Sequence, residues 1–184
     1  MPIQVVFPSP LFPVLQTDRL LLRGISGNDA PVIFRLYADE NVMHYRGCDT
    51  FSNLEQAEQL IFHWRKLFAT GHGIRWGIEW NETNQLLGTV GFKQILIQHR
   101  RADLGYELDP AWWNRGIMTE AVNAIVQHGF DVMNLHSIEA NITPGHLASQ
   151  RVLEKLKFEK EALFRENYFY KHWWDSEIWS LRKK

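Results

Sequence analysis

Ile74, Trp76, Ile78 and Trp80 alternate with Arg75, Gly77 and Glu79, a two-residue repeat that belongs to a β-strand. From Met118 the period changes. Ala121, Val122, Ile125, Val126, Phe130 and Met133 carry one apolar stripe at helical spacing over about five turns. A one-faced sheet and a one-striped helix must each cover the other. That change of period commits the chain to a layered α/β fold.

The remaining segments fit around it. Thr17–Arg23 (TDRLLLR) predicts a strand, and Asn28 or Asp29 offers an N-cap with Pro31 in the first turn of a helix carrying Val32, Leu36 and Tyr37. Ser52-Asn53-Leu54-Glu55 has the spacing of a capping box. Leu54, Ala57, Ile61, Trp64 and Phe68 then define a second helix to about Ala69, ended by Gly71 and Gly73. Asn81–Gln85 is a polar turn, and Leu86–Leu96 is a second strand of the meander, with Gly88 and Gly91 at bulges or close approaches. His99-Arg100-Arg101 turns the chain into Ala102–Leu108. After the long helix come a strand at Ser137–Thr143, a break at Pro144-Gly145 and a short helix with Val152, Leu153 and Leu156. Ala162–Tyr170 and Ser176–Leu181 form a closing hairpin. The order β-αα-βββ-α-β-α-ββ predicts a single α/β (α+β) domain: a mixed, mostly antiparallel central sheet flanked by helices. Residues 1–15, interrupted by Pro2, Pro8, Pro10 and Pro13, are expected as an extended arm, and 16–184 as the folded domain.

Composition narrows the function. Twenty Lys+Arg stand against 21 Asp+Glu, so no cationic excess is available for nucleic acid. One cysteine, Cys48, excludes an internal disulfide framework and a Cys-based zinc site. The eight His are scattered, with no pair at metal-binding spacing around a Glu, so no metal is expected. Arg19 is the first basic side chain and no run reaches a membrane span, which points to the cytoplasm.

Chemistry concentrates in one stretch. Ala102–Asp109 leads through Pro110-Ala111-Trp112-Trp113-Asn114-Arg115-Gly116 into Ile117-Met118-Thr119-Glu120-Ala121. A strand, a glycine-bearing loop and a helix start together aim free N–H groups and a positive dipole end at one point, a ready phosphate site. Gly116 lets the backbone approach a ligand or take positive φ. A plain strand–loop–helix connection has the same outline.

The stretch Gly105–Ala121 (GYELDPAWWNRGIMTEA) resembles the cofactor motif of the GCN5-related N-acetyltransferases, in the branch that acetylates N-termini of ribosomal proteins. Thr17–Arg23 is similar to the first strand of that branch, Leu87–Phe92 to its third strand, Ala148–Phe158 to its second cofactor-side helix, and Trp174-Asp175 to its closing hairpin. The resemblance implies acetyl-CoA as co-substrate and a primary amine as acceptor, either a protein N-terminus or a small molecule; a fold that binds CoA or a partner without turnover is the alternative. It implies cofactor contacts at Tyr106, Leu108, Trp113, Asn114, Arg115, Gly116, Ile117, Met118, Thr119, His146 and Ser149. His146 stands where the family usually has Asn, Lys157 where it has Gly, and Leu153 where many members carry a tyrosine acid.

Acetyl transfer needs a neutral amine, an N–H donor for the thioester oxygen and relief for the departing thiolate. Asp103 and Glu107, four residues apart on one strand and so on one face, are candidate bases, with Glu166 in the hairpin a third. A bulge near Tyr106–Leu108 would supply the N–H, and Ser149 the hydroxyl; a serine near a helix start also serves as a cap. Trp64, Trp76 and Trp80 are expected in the core. Trp173 and Trp174 are candidates for packing, for the acceptor pocket or for a homodimer contact.

Overall fold

The computed structural model describes residues 11–184, and positions 1–10 of the expected arm lie outside them. Thirteen elements follow one another: β1 (Leu15–Gln16), β2 (Leu20–Gly24), α1 (Ala30–Ala38), α2 (Glu40–Met43), α3 (Leu54–Ala69), β3 (Ile74–Trp80), β4 (Gln85–Leu96), β5 (Arg101–Leu108), α4 (Ile117–Asp131), β6 (Ser137–Ile142), α5 (Leu147–Lys155), β7 (Glu159–Tyr170) and β8 (His172–Arg182). Among the described residues the strands form one sheet, in the order β1-β2-β3-β4-β5-β6-β8-β7. Only the β5–β6 pairing is parallel. The single α/β domain with helices on a mostly antiparallel sheet is the fold expected from the periods.

Three local readings are corrected. The box at the start of α3 sits one residue later than the Ser52–Glu55 spacing predicts. Asn53 is the N-cap, its side chain accepting from the Gln56 N–H at 3.1 Å, and Gln56 reaches back. Helix α2 has no counterpart in the expected order. It is too short to show a period, and it exists because Asp39 caps the Asn41 and Val42 N–H groups. The alternation in β3 suggested a half-buried strand, yet Arg75 and Glu79 are buried too. Helices α1 and α3 cover that second face, and its charges survive burial by pairing: Glu79 with Arg23, and Arg23 with Asp29.

Two apolar clusters therefore flank the sheet. The larger packs Trp76, Phe92 and Leu104 under Val122 and Ile125 of α4. The smaller joins Ile33, Tyr37 and Ile61 of α1 and α3 to Leu86. Trp76 is fully buried, while Trp64 and Trp80 lie part-buried at the cluster edges. From the described part of the arm, Phe12 packs 4.9 Å from Phe68 and 5.8 Å from Trp76, whose indole donates to the Pro13 carbonyl. Gly88 and Gly91 are close approaches. A Cβ there would lie 2.3 Å from the Glu107 carbonyl and 2.1 Å from that of Ile74. The register slips beside them, at Leu87 and at Lys93.

Helix α5 ends in a Schellman turn. The Phe158 N–H donates to the Leu153 carbonyl at 2.9 Å and the Lys157 N–H to that of Glu154 at 3.0 Å, while the Phe158 and Leu153 side chains meet in the core. The turn needs a left-handed residue, and Lys157 takes it at φ 65°. An L side chain there costs about 1 kcal/mol that glycine avoids. Lys157→Gly is therefore expected to stabilise the protein by about that amount, read as a higher midpoint in urea.

Candidate active site

β5 and β6 run side by side from Arg101 opposite Ser137 to Leu104 opposite Ala140, and then separate. The expected bulge at Tyr106–Leu108 is not how the N–H groups are freed. The β4–β5 ladder is regular from Phe92–Leu104 to Gly88–Leu108, and β5 gains an open edge because β6 departs. The Asp109 N–H donates to the Leu87 carbonyl at 2.8 Å. Strand alternation then turns the N–H groups of Tyr106 and Leu108 to the open side.

One wall of the opening is the start of α4. Gly116, at φ 75°, is its N-cap and brings no side-chain cap. The N–H groups of Ile117, Met118 and Thr119 thus have no intrahelical partner and face a groove of about 660 Å³ between α4 and α5. Every residue expected at the cofactor lines this groove except Arg115. Its guanidinium lies 5.1 Å over the Trp112 ring, and its carbonyl accepts from Arg19 at 3.1 Å. The Trp113 indole donates to the Leu108 carbonyl at 2.8 Å, holding the loop against β5.

Arg19, Thr17 and Glu120 were not foreseen as part of this site. Glu120 accepts from Thr17 Oγ1 at 2.7 Å, from the Arg19 N–H at 3.0 Å and from Arg19 Nε at 2.7 Å. Burial works against the Glu120 carboxylate, but these bonds outweigh it and hold its pKa below the usual range. Neither TDRLLLR nor the acidic residue in the first turn of α4 announces its partner, because they lie about a hundred positions apart.

A second hollow of about 360 Å³ adjoins the groove. Six residues line both hollows: Val42, Tyr45, Tyr106, Glu107, His146 and Ser149. At this junction the Tyr106 hydroxyl and Ser149 Oγ lie 2.6 Å apart. Burial pushes the Tyr106 hydroxyl up to about 12, despite the Ser149 bond pulling downward. Ser149 is not a cap. Helix α5 starts at Leu147 behind His146, so Ser149 falls inside the first turn and its side chain turns to Tyr106. Leu153 is sealed in the core. The His146 ring lies 4.3 Å from that of Tyr45, tilted by 52°, and burial, then the charge of His44, lower it to about 4; it is neutral at pH 7.

The candidate bases fare differently. Asp103 and Glu107 do share a face of β5, but only Glu107 reaches a hollow. Glu107 is 4% exposed, gripped by Arg75 on one oxygen and by Arg46 on the other, with Thr89 Oγ1 donating at 2.9 Å. Burial lowers the Arg75 guanidinium to about 10, which still leaves it charged at neutral pH. Asp103 lies outside the walls of both hollows, 3.0 Å from Lys93, and burial raises its pKa. Glu166 is exposed in the hairpin, at φ 48°, and lines neither hollow. Trp173 is 58% exposed, whereas Trp174 stacks on His172 and Tyr168. Among the described residues no group of His, Cys, Asp or Glu could hold a metal, and no helix is long and apolar enough to cross a membrane.

A parted sheet above an uncapped helix start, with a second hollow meeting it at a hydroxyl pair, is the frame of an acyl-CoA transferase. Residues 19–159 match the model of the GNAT acetyltransferase domain. The N-acetyltransferase YoaA of Bacillus subtilis, itself uncharacterized, is 38% identical over 175 residues, 94% of this chain and 98% of its own. Among solved structures, a GNAT-family acetyltransferase from Bacillus anthracis superposes with a TM-score of 0.82 at 24% identity, covering 92% of this chain and 98% of that one. RimL, a ribosomal-protein alpha-N-acetyltransferase, in complex with coenzyme A gives 0.84 at 17% identity, covering 92% and 98%. The chain belongs to the GNAT acetyltransferases, N-acetyltransferases that use acetyl-CoA as co-substrate.

Two outcomes are expected. CoA raises the melting temperature of the protein, as any ligand selective for the native state does. Gly116→Val, which forces a β-branched residue into φ 75°, costs about 1–2 kcal/mol and removes that shift. Scanning calorimetry with and without CoA checks both.

A third expectation concerns His146, whose pKa is about 4 in the folded protein against an ordinary 6.5. Between those values the unfolded chain binds a proton that the folded ring refuses, so stability is full above pH 6.5 and declines as pH falls toward 4. Allowing for the ring's part exposure, His146→Gln should remove about 2 kcal/mol of that decline, measured by urea unfolding at neutral and acidic pH.

Proposed function

We propose that the protein transfers the acetyl group of acetyl-CoA directly to the nitrogen of a small primary amine, with Tyr106 and Ser149 stabilising the departing sulfur. One observation carries this reading: the cofactor groove and the acceptor hollow meet at the bonded hydroxyls of Tyr106 and Ser149.

The free N–H groups of Ile117, Met118 and Thr119 suit the pyrophosphate, and Arg151 and Lys155 of α5 line the same groove with positive charge. The thioester would lie along the open edge of β5, where the N–H groups of Tyr106 and Leu108 can receive the oxygen as it gains charge. The amine nitrogen forms its bond to the carbonyl carbon as the carbon–sulfur bond breaks, and the surplus proton of the amine leaves to solvent. A coenzyme thiol ionises near 8.5, well below the value of about 12 for Tyr106. Tyr106 therefore hydrogen-bonds the thiolate and keeps its own proton. With Glu107 engaged by two guanidinium groups and His146 lowered to about 4, the amine must arrive neutral.

A small acceptor is favoured by the bridge beside the hollow. Tyr170 donates to Asp49 at 2.6 Å and Lys171 lies 3.1 Å from it, joining the loop after α2 to the tip of the β7–β8 hairpin. A single exposed free thiol, Cys48, suits a reducing cytoplasm.

Tyr106→Phe and Ser149→Ala should each lower kcat roughly 10- to 100-fold, the value of one hydrogen bond to a charged group, with CoA affinity unchanged. Thiol release against a panel of amines measures it. CoA binding without thiol release for any amine would replace this reading by a binding protein of the same fold.

A further inference from the structure

The walls of the acceptor hollow are unevenly charged. Arg46 and Lys93 line it against one carboxylate, Glu107, and the buried Arg75 stands directly behind that carboxylate. Both oxygens of Glu107 are occupied by guanidinium groups, so it has little left to offer a cationic substrate. Lys93 is matched by Asp103 at 3.0 Å. Arg46 is the unbalanced cation. Its side chain is 38% exposed, its guanidinium lies 5.5 Å over the Tyr37 ring, and it binds Glu107 through Nη1. Among the described residues no other nitrogen of its fork donates a hydrogen bond to a protein acceptor. A guanidinium has five N–H donors in a planar fork that matches a carboxylate. Tyr37 and Glu107 hold this one in place, and its free edge borders the hollow.

We propose that Arg46 is an acceptor-recognition residue and that the substrate is an amine that itself carries a carboxylate, a compact amino acid. This rests on the reading of the protein as a transferase to a small amine, and it adds the chemical class of that amine. The size follows from position. Arg46 binds Glu107, and Glu107 belongs to the junction where the thioester would meet the amine. An anion on the fork and a nitrogen at the junction can then be only a few bonds apart. The carboxylate balances the surplus positive charge of the hollow, whereas a polyamine would add to it.

Free α- and β-amino acids are assayed with acetyl-CoA, each beside its carboxamide and its decarboxylated amine. Peptides with an acidic second residue and an amidated C-terminus separate a free amino acid from a protein N-terminus that supplies the carboxylate from a side chain. The expected result is a kcat/KM at least about tenfold higher for the free carboxylates, through KM. In Arg46→Gln the ratio collapses toward one while the CoA-induced rise in melting temperature is kept. Arg46→Lys, which keeps the charge and loses the fork, recovers part of the preference. Equal rates for carboxylate and carboxamide, a preference for polyamines, or an unchanged ratio in Arg46→Gln would overturn the proposal. Calorimetry of the same amino acids with the CoA-loaded protein separates it from the transferase reading. Carboxylate-selective binding that is lost in Arg46→Gln supports the proposal even without thiol release, which would instead refute transfer. Release from amines of every kind without that selectivity refutes the proposal and leaves transfer standing.

Discussion

Leu104 and Ala140 are the last residues at which β5 and β6 face one another, and both hollows follow from that parting. A strand that loses a neighbour inside a sheet exposes N–H groups that must find other partners. Here they border a space that a thioester can fill. The start of α4 adds three more donors on one side, and α5 brings a hydroxyl from the other to within 2.6 Å of Tyr106. The groove, the junction and the acceptor hollow are thus three views of one interruption in the ladder.

Beneath the interruption lies an ion pair that a protein interior tolerates only when complete. Arg75 and Glu107 are both almost wholly buried, on one face of the sheet, where β4 holds β3 and β5 in register. Removing one partner of such a pair costs about 3–5 kcal/mol, because the other is left charged and dry. The pair also has a geometric effect. By fixing Glu107, it fixes the anchor of Arg46, so that a side chain of the loop after α2 is held at the second hollow from within the sheet.

Much of this was legible in the residues. Ile74–Trp80 and the stripe from Met118 to Phe130 gave the layered fold because burial on one face leaves a periodic trace. Gly116 was readable because only a residue without a Cβ takes its backbone angle cheaply. Elsewhere the signal was weaker than the physics. Asp103 and Glu107 are both candidate bases in sequence, yet one is paired with Lys93 where β5 still lies between β4 and β6 and the other sits at the junction beyond their parting, a difference made by strand register and by Arg75 and Arg46. Ser149 read equally well as a cap, since helix boundaries shift by a residue or two without changing the pattern. Tyr106 is expected as a cofactor contact from the sequence, but its bond to Ser149 is not legible there, because the two lie 43 positions apart. Lys157 keeps the turn that a glycine would make, so a missing glycine did not mean a missing turn.

The position of β8 has a consequence for biosynthesis. It lies between β6 and β7 although it is made after both, so β6 leaves the ribosome with one edge bare and β7 with both. Unpaired edges invite pairing with other chains, and nascent domains are most vulnerable while such edges persist. β6, whose Ala140, Asn141 and Ile142 line the second hollow, therefore waits for His172–Arg182 before its outer side is closed. Until then the nascent chain has the start of α4 but not the finished sheet beside it, because β6 gains its second partner only once β8 is in place.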